Sequence, residues 1–272
     1  ITIINVTMKD FVERAKIFRK NIENLKNEKI WQNKGFQVSI SAHNAEKSLP
    51  IVLSSIDNAM KGLPWVMNFG DDSSTDSTVE IAERFSEMSS AIIFNVFKFS
   101  KAKSIAQAKN RVIKKALEKK EYFPGIFLAD ADDFFTRQRA RELPELAMKN
   151  NSPFSVGSWY YCKDGQKTLK PASKSAEKRT FGPWATLIHA KLIPDDGKLF
   201  YEDPDGELVH EDILLWDEFN NYGIPIQTFD DVITCYYNAS EGTASREADM
   251  AKRQRLWEKY TKLKDQIPSI KV

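Results

Sequence analysis

Two acidic turns, each set directly after a short apolar run, constrain the fold of this chain more than any other feature of its sequence. The first is Asp71-Asp72-Ser73-Ser74-Thr75-Asp76, which follows Leu63-Pro64-Trp65-Val66-Met67-Asn68-Phe69. The second is Asp130-Ala131-Asp132-Asp133, which follows Gly125-Ile126-Phe127-Leu128-Ala129. Apolar runs of this length read as buried strands. A carboxylate at the end of such a strand sits at the mouth of the crevice where open α/β sheets bind ligands. Two aspartates one residue apart, Asp130 and Asp132, can bring hard oxygen atoms to one divalent cation. Mg²⁺ or Mn²⁺ held in this way shares its shell with substrate phosphates. The pattern points to an enzyme that handles a nucleoside diphosphate through a metal.

The rest of the chain supplies the elements between these turns. Phe11, Ala15, Phe18, Ile22 and Leu25 recur at helical spacing, which predicts an amphipathic helix over 9–31. Residues 36–41 alternate like a strand and 43–48 read as a loop. A helix follows from Leu49, with Pro50 in its first turn. Further strands are expected at 64–70, 91–97 and 125–129, with helices from Ser77-Thr78-Val79-Glu80, read as a capping box, and over 103–119. Strands alternating with helices predict an α/β fold: a doubly wound, mostly parallel sheet with helices on both faces and helical extensions at each end. Past residue 140 the alternation loosens. Strand-like runs at 155–162 and 232–237 flank a basic, Ser-rich loop (163–180) and a Gly/Pro/Asp-rich stretch (194–206). A short helix from Ile213 ends near Gly223. A charged helix over 244–265 carries Met250, Leu256, Trp257, Tyr260 and Leu263 as its inner stripe. The expected segments are 1–35, 36–140, 141–243 and 244–272.

With 272 residues, 42% of them hydrophobic, the chain can bury a core without disulfides. Cys162 and Cys235 read as free thiols in a reducing compartment. A net charge of +2 makes no case for nucleic acid as a partner. No apolar stretch approaches the roughly 20 residues that span a bilayer. The expectation is a cytoplasmic protein, soluble or attached to a membrane at its surface. Asn5-Val6-Thr7 and Asn238-Ala239-Ser240 match the glycosylation sequon and carry no weight in this reading.

The order of the motifs resembles the family 2 glycosyltransferases, which have the GT-A fold. Val38-Ser39-Ile40-Ser41-Ala42-His43-Asn44-Ala45-Glu46 is similar to the family's opening strand and turn. Asp71 to Asp76 resembles its Asp-Asp-Gly-Ser-x-Asp turn, Ala108-Lys109-Asn110 its Ala-Arg-Asn helix, and Ala129 to Asp133 its Leu-Asp-x-Asp-Asp segment. Trp184-Ala185-Thr186-Leu187 resembles its Trp-x-x-Leu segment, and Glu211-Asp212 the Glu-Asp pair that heads a short helix. The resemblance covers about residues 36–240. Ser41 stands where proline is usual, His43 where tyrosine is, Ser73 in place of the turn glycine, and Lys109 in place of arginine. Asn238-Ala239-Ser240 falls where many members place a metal-binding histidine.

The resemblance implies a metal-dependent, inverting transferase that moves a sugar from a nucleoside-diphosphate donor, UDP-sugar favoured, to an acceptor hydroxyl. It assigns Mn²⁺ or Mg²⁺ to Asp132 and Asp130, and implies donor contacts from Ser41, His43, Asn44, Glu46, Asp71, Asp72, Lys109 and Asp130. Asp212 is the implied general base, with Glu211 as its orienter or alternate. Trp184 is the implied acceptor contact, an aromatic face suited to a sugar ring and equally suited to the core. The acceptor is expected to be a glycan. The 163–180 loop reads as a solvated loop, a lid over the diphosphate or a docking surface for an anionic acceptor. Two competing readings are a nucleotidyltransferase acting on sugar phosphates and a non-catalytic carbohydrate-binding module. The first is disfavoured because 38–48 contains no glycine for a phosphate loop, the second because Asp130, Asp132 and Asp212 are all present.

Overall fold

A computed structural model describes residues 2–32, 35–178, 182–208, 210–238 and 250–269, with backbone alone for 2–7, 250, 252 and 253. Among the described residues nine strands form one sheet in the order β3-β2-β1-β4-β8-β6-β9-β5, with β7 on the free part of β6's edge. The first half is parallel: β1 (Phe36–Ala42) lies between β2 (Trp65–Asp72) and β4 (Gly125–Asp130), and β3 (Ile93–Phe99) is the outer edge. The crossovers are α2 (Leu49–Met60), α3 (Thr78–Ser86) and α4 (Ile105–Leu117). The chain order reverses between β1 and β4, so their carboxyl ends open a crevice. Ala42 pairs with Asp71 and Ser41 with Asp130, which brings both acidic turns to that edge.

The expected first, second and fourth strands are present, and every residue of β2 is buried. The third is shifted two residues along, to 93–99. It is an edge strand with exposed or half-buried positions, so burial fixes its limits weakly. Packing of α4 on β2 is close at Gly70, where a Cβ would lie 2.3 Å from Val112 Cγ2.

The other half of the sheet is mixed. β8 (Thr186–His189) runs antiparallel to both β4 and β6 (Phe154–Lys163) and joins the halves. β9 (Gln227–Asn238) runs parallel to β6, and short β5 (Phe134–Phe135) is antiparallel to β9. α5 (Arg137–Lys149) links β5 to β6. α7 (Glu211–Tyr222) ends at Gly223, whose φ of 69° is the left-handed cap expected there.

Three expectations need correction. The first is the 163–180 loop, which is structured through 178. Gln166–Lys170 forms β7, paired antiparallel with residues 159–163 of β6, and α6 (Ala172–Lys178) follows. Asp164 (φ 49°) and Gly165 (φ 76°) close this hairpin, as two left-handed residues do in a tight two-residue turn. The second is the capping box at Ser77-Thr78-Val79-Glu80. The Ser77 side chain makes no cap bond; Asp76 Oδ1 instead accepts from Thr78 N at 3.0 Å. Glu80 turns away to Arg84 at 2.6 Å, because the Ser77 N–H is already taken by Glu46 Oε2. The third is the first helix, α1, which runs Thr2–Leu25 and stops short of residue 31.

Both helical extensions pack on α7. Phe11 and Phe18 of α1 are fully buried, each worth about 1.5–3 kcal/mol. Arg14 Nε binds Glu218 Oε1 at 2.6 Å beneath them. α8 (Met250–Lys264) sets Tyr260 OH on Asp217 and buries Leu256 and Leu263, while Trp257 is 52% exposed. The expected start of this helix at 244–249 lies outside the described residues, as do Arg179, Ala239 and Ser240. Among the described residues no helix is long and apolar enough to cross a membrane.

Candidate active site

Lys109 is the centre of the site. It projects from α4, is 86% buried at its side chain, and reaches two carboxylates: Asp130 Oδ1 at 3.1 Å and Glu211 Oε1 at 3.0 Å. Asp130 ends β4 and Glu211 opens α7, so one ammonium joins elements more than eighty residues apart in sequence. Burial works against its charge, yet Asp130, Glu211 and Asp212 outweigh that and hold Lys109 above its ordinary range. Ser41, Lys109, Asp130 and Pro183 share the walls of a cavity of about 10 Å³ between these elements.

The carboxylates crowd one another. Burial and then the neighbouring Asp130 push Asp132 up to about 6. Burial, Asp132 and Asp130 push Asp133 well above the usual range. Asp133 Oδ1 accepts the Asn238 N–H at 2.9 Å, but its Oδ2 is buried without a hydrogen-bond partner. Crowded hard oxygen atoms whose ionised form lacks a compensating charge fit a divalent cation. Among the described residues no group of three or more His, Cys, Asp or Glu side chains is set as a chelate. At the head of α7, burial and Glu211 push Asp212 up to about 7, against the pull of Lys109.

The residues expected at the nucleotide side form a second group, built from two stitched loops. Asn44 takes a left-handed φ of 51°, and its Oδ1 accepts from Thr75 N at 2.9 Å. The Asn44 N–H reaches Ser74 Oγ at 2.9 Å, Ala45 N reaches Thr78 Oγ1 at 2.7 Å, and Glu46 N reaches Asp76 Oδ2 at 3.1 Å. Glu46 returns a carboxylate to Ser77 N at 3.2 Å. Asn44 and Glu46 thus hold the 73–78 turn in place, while His43 is exposed beside them. Ser73 keeps the left-handed conformation that a turn glycine adopts freely, with φ 63°. Asp71 accepts from Ser74 N at 3.1 Å; Asp72 accepts from Ala102 N at 2.6 Å and pairs with Lys101 at 3.2 Å.

Trp184 lies on a 3-10 turn, Pro183–Ala185, half-buried and stacked on Tyr237 with ring centroids 4.5 Å apart. Gly182 makes this possible, since a Cβ there would meet the Trp184 ring at 2.0 Å. His210 stands next to Glu211, edge-on to Trp257 and Tyr260 of α8.

Sequence reasoning missed Arg139. It is 1% exposed, and its Nη2 donates to the carbonyls of Leu128 (2.5 Å), Thr186 (2.9 Å) and Pro183 (3.1 Å). Its guanidinium also stacks over Phe135 at 4.5 Å. Burial lowers it to about 10. The signal was its spacing: Arg139, Leu143 and Ala147 fall at every fourth position, on the buried face of α5. Sequence reasoning also missed the clamp on the loop before Glu211, where Lys259 Nζ lies 2.7 Å from Asp203 and 3.2 Å from Asp205.

Comparison with solved structures gives the same architecture. The chain aligns with S. aureus TarS 1-349 in complex with UDP-GlcNAc at a TM-score of 0.67 and 16% identity, over 87% of this chain and 68% of that one. It spans 37% of a longer S. aureus TarS chain, at a TM-score of 0.60 and 18% identity over 76% of its own length. A mannosyltransferase from Pyrobaculum calidifontis in complex with GDP-Man and Mn²⁺ aligns at a TM-score of 0.51 and 12% identity, over 94% of this chain and 74% of that one. At these identities the likeness is one of fold. No curated protein sequence matches the chain. The family model for Glycosyl transferase family 2 matches residues 37–202, more than half of the sequence. The chain belongs to glycosyl transferase family 2 and is a glycosyltransferase of mixed α/β fold.

Proposed function

We propose that this chain transfers a sugar from a nucleoside-diphosphate donor, a UDP-sugar in the first instance, to an acceptor hydroxyl by a direct displacement that inverts the anomeric carbon. The observation that carries the reading is the Lys109 bridge, which draws the Asp130 turn and the Glu211-Asp212 pair into one site. Donor complexes of two proteins of like fold, with UDP-GlcNAc and with GDP-Man and Mn²⁺, support the substrate class.

Asp130 and Asp132 are the residues that would hold Mn²⁺ or Mg²⁺. The cation would supply Lewis-acid neutralisation of the leaving diphosphate. Asp71 and Asp72 bound the nucleoside side, where a carboxylate can accept a hydrogen bond from a uracil N3–H. Ser41, His43, Asn44 and Glu46 complete the donor contacts of this reading, Asn44 and Glu46 beside the 73–78 turn that they hold. Lys109 provides a buried positive charge beside the phosphates and holds Glu211 against the donor side. Asp212 takes the proton of the attacking hydroxyl, and a carboxyl raised to about 7 suits that task at neutral pH. Trp184 offers its ring to the acceptor.

Calorimetry with UDP-, GDP-, CMP- and dTDP-sugars, with and without Mn²⁺, tests this. Asp132→Asn should lose metal-dependent donor binding. Asp212→Asn should keep donor binding and lose transfer; if it cannot bind the donor, its assignment as base is wrong.

A further inference from the structure

Helix α7 cannot satisfy its own carboxylates. It carries Glu211, Asp212, Asp217 and Glu218 and no lysine, arginine or histidine. Glu211, Asp217 and Glu218 are buried, and a buried carboxylate needs a partner. Each takes one from a different element. Glu211 takes Lys109 of α4 at 3.0 Å, Glu218 takes Arg14 of α1 at 2.6 Å, and Asp217 accepts from Tyr260 OH of α8. Asp212 differs from the other three: its Oδ1 accepts the Ile213 N–H at 2.8 Å.

Helix α8 also holds the turn that leads into α7. Asp203 is buried and shapes that turn from within. Its carbonyl accepts the Gly206 N–H at 2.9 Å, and its Oδ2 accepts the N–H groups of Glu207 at 2.9 Å and Leu208 at 3.1 Å. Gly206, at φ 74°, lets the turn lie against the backbone ahead of α4, where a Cβ would meet Lys103 O at 2.1 Å. Lys259 Nζ then reaches Asp203 at 2.7 Å, Asp205 at 3.2 Å and Glu207 at 3.8 Å. One ammonium thus ties every acidic side chain of the 203–208 turn to α8. Just past the turn, His210 meets Trp257 and Tyr260 edge-on, at 5.4 and 5.9 Å. Removing the ammonium would leave the turn's internal bonds and the Tyr260–Asp217 contact in place, and take away the turn's ionic anchorage.

We propose that Lys259 is a positioning residue for the transfer reaction. By fixing the 203–208 turn on α8 it sets where the head of α7 stands, and with it the aim of Asp212 at the attacking hydroxyl. The proposal rests on the reading of Asp212 as base and deepens it. A shift of roughly 1 Å at such a group can cost about 10²-fold in rate. The donor contacts on β1, β2 and β4 are untouched, so the loss falls on kcat and spares the donor KM.

The test compares Lys259→Gln and Lys259→Arg with the parent chain, using UDP-GlcNAc and GDP-Man with Mn²⁺ and water as the acceptor. Water attacks the anomeric carbon, the bond from that carbon to the diphosphate breaks with its electron pair leaving on the diphosphate, and Asp212 takes the proton. Lys259→Gln should lower kcat for diphosphate release about tenfold with the donor KM within twofold, and Lys259→Arg should restore at least half of the parent kcat. Hydrogen exchange gives a reading independent of turnover. In Lys259→Gln with UDP and Mn²⁺, amides of 204–208 and 211–214 should exchange about tenfold faster while those of β1 and β2 stay protected, and Lys259→Arg should reverse the change. A parent kcat in Lys259→Gln, a raised donor KM at constant kcat, no recovery in Lys259→Arg, or unchanged exchange at 204–214 each overturns the proposal. Asp212→Asn releasing diphosphate at the parent rate overturns the base assignment instead. A parent chain that binds neither donor overturns the transferase reading, so the three failures are distinguishable.

Discussion

Replacing Asp132 with asparagine should stabilise the ligand-free protein while removing its response to metal. Asp132 ionises near pH 6 in the folded chain, against an ordinary 3.8, because burial and Asp130 oppose its charge. At 1.36 kcal/mol per pKa unit, that difference is about 3 kcal/mol of strain once the group is ionised. Asp132 is partly solvated and Lys109 offsets some of the repulsion, so roughly 1–2 kcal/mol is the expected share. The sign follows from proton linkage. Below the unfolded value both states hold the proton and the variant gains nothing. Between about pH 4 and 6 the folded state binds more protons than the unfolded one, so parent stability falls as pH rises. Above pH 6 the strain is fully expressed and the gain of Asp132→Asn reaches its plateau. For a chain of this size that is about 2–6 °C in Tm. Thermal unfolding of both proteins in chelator, from pH 4 to 8, reads the difference. Adding Mn²⁺ and UDP should then raise the parent and leave the variant unmoved. A variant less stable at pH 8, or a Tm difference that does not change with pH, would refute the reasoning.

Three further outcomes are expected. Ser73→Gly should raise stability by up to about 1 kcal/mol, because an exposed serine is held at φ 63°; denaturant titration showing a loss would mean that the serine side chain holds the turn. Gly182→Ala drives a Cβ into the Trp184 ring, should cost about 1–3 kcal/mol, and should impair acceptor use while UDP binding persists. The kcat/KM profile should fall below an apparent pKa of about 7 as Asp212 protonates, and a flat profile from pH 5.5 to 8 would remove Asp212 as base.

How much of this was legible depended on where the information lay. The buried strands of the parallel half carry their signal in local apolar runs, and their acidic ends mark the crevice edge, so Asp71, Asp130 and Ser41 could be placed from sequence. Asp164-Gly165 carried an equally local hairpin signal, but the surrounding lysines masked it: β7 has four exposed residues of five and exists only because β6 offers it an edge. The Lys109–Glu211 contact was not legible at all, since it spans 102 residues and depends on how α4 meets α7. The roles of Asn44 and Glu46 in holding the 73–78 turn were hidden for the same reason. Their residue types suit a ligand contact and a loop–loop bond equally well.

Arg139 has a mechanical consequence. β8 joins the halves of the sheet through two paired positions on β4 and three on β6, a narrow seam for so large a sheet. One guanidinium fastens across that seam, gripping the strand that leads to Asp130 and the turn that carries Trp184. The two halves are thereby pinned close to the reacting atoms, and compliance is left to the periphery. Hydrogen exchange should accordingly be slower at Thr186–Ile188 than so short a strand would sustain unaided, and Arg139→Met should loosen that seam before it loosens β1 or β2.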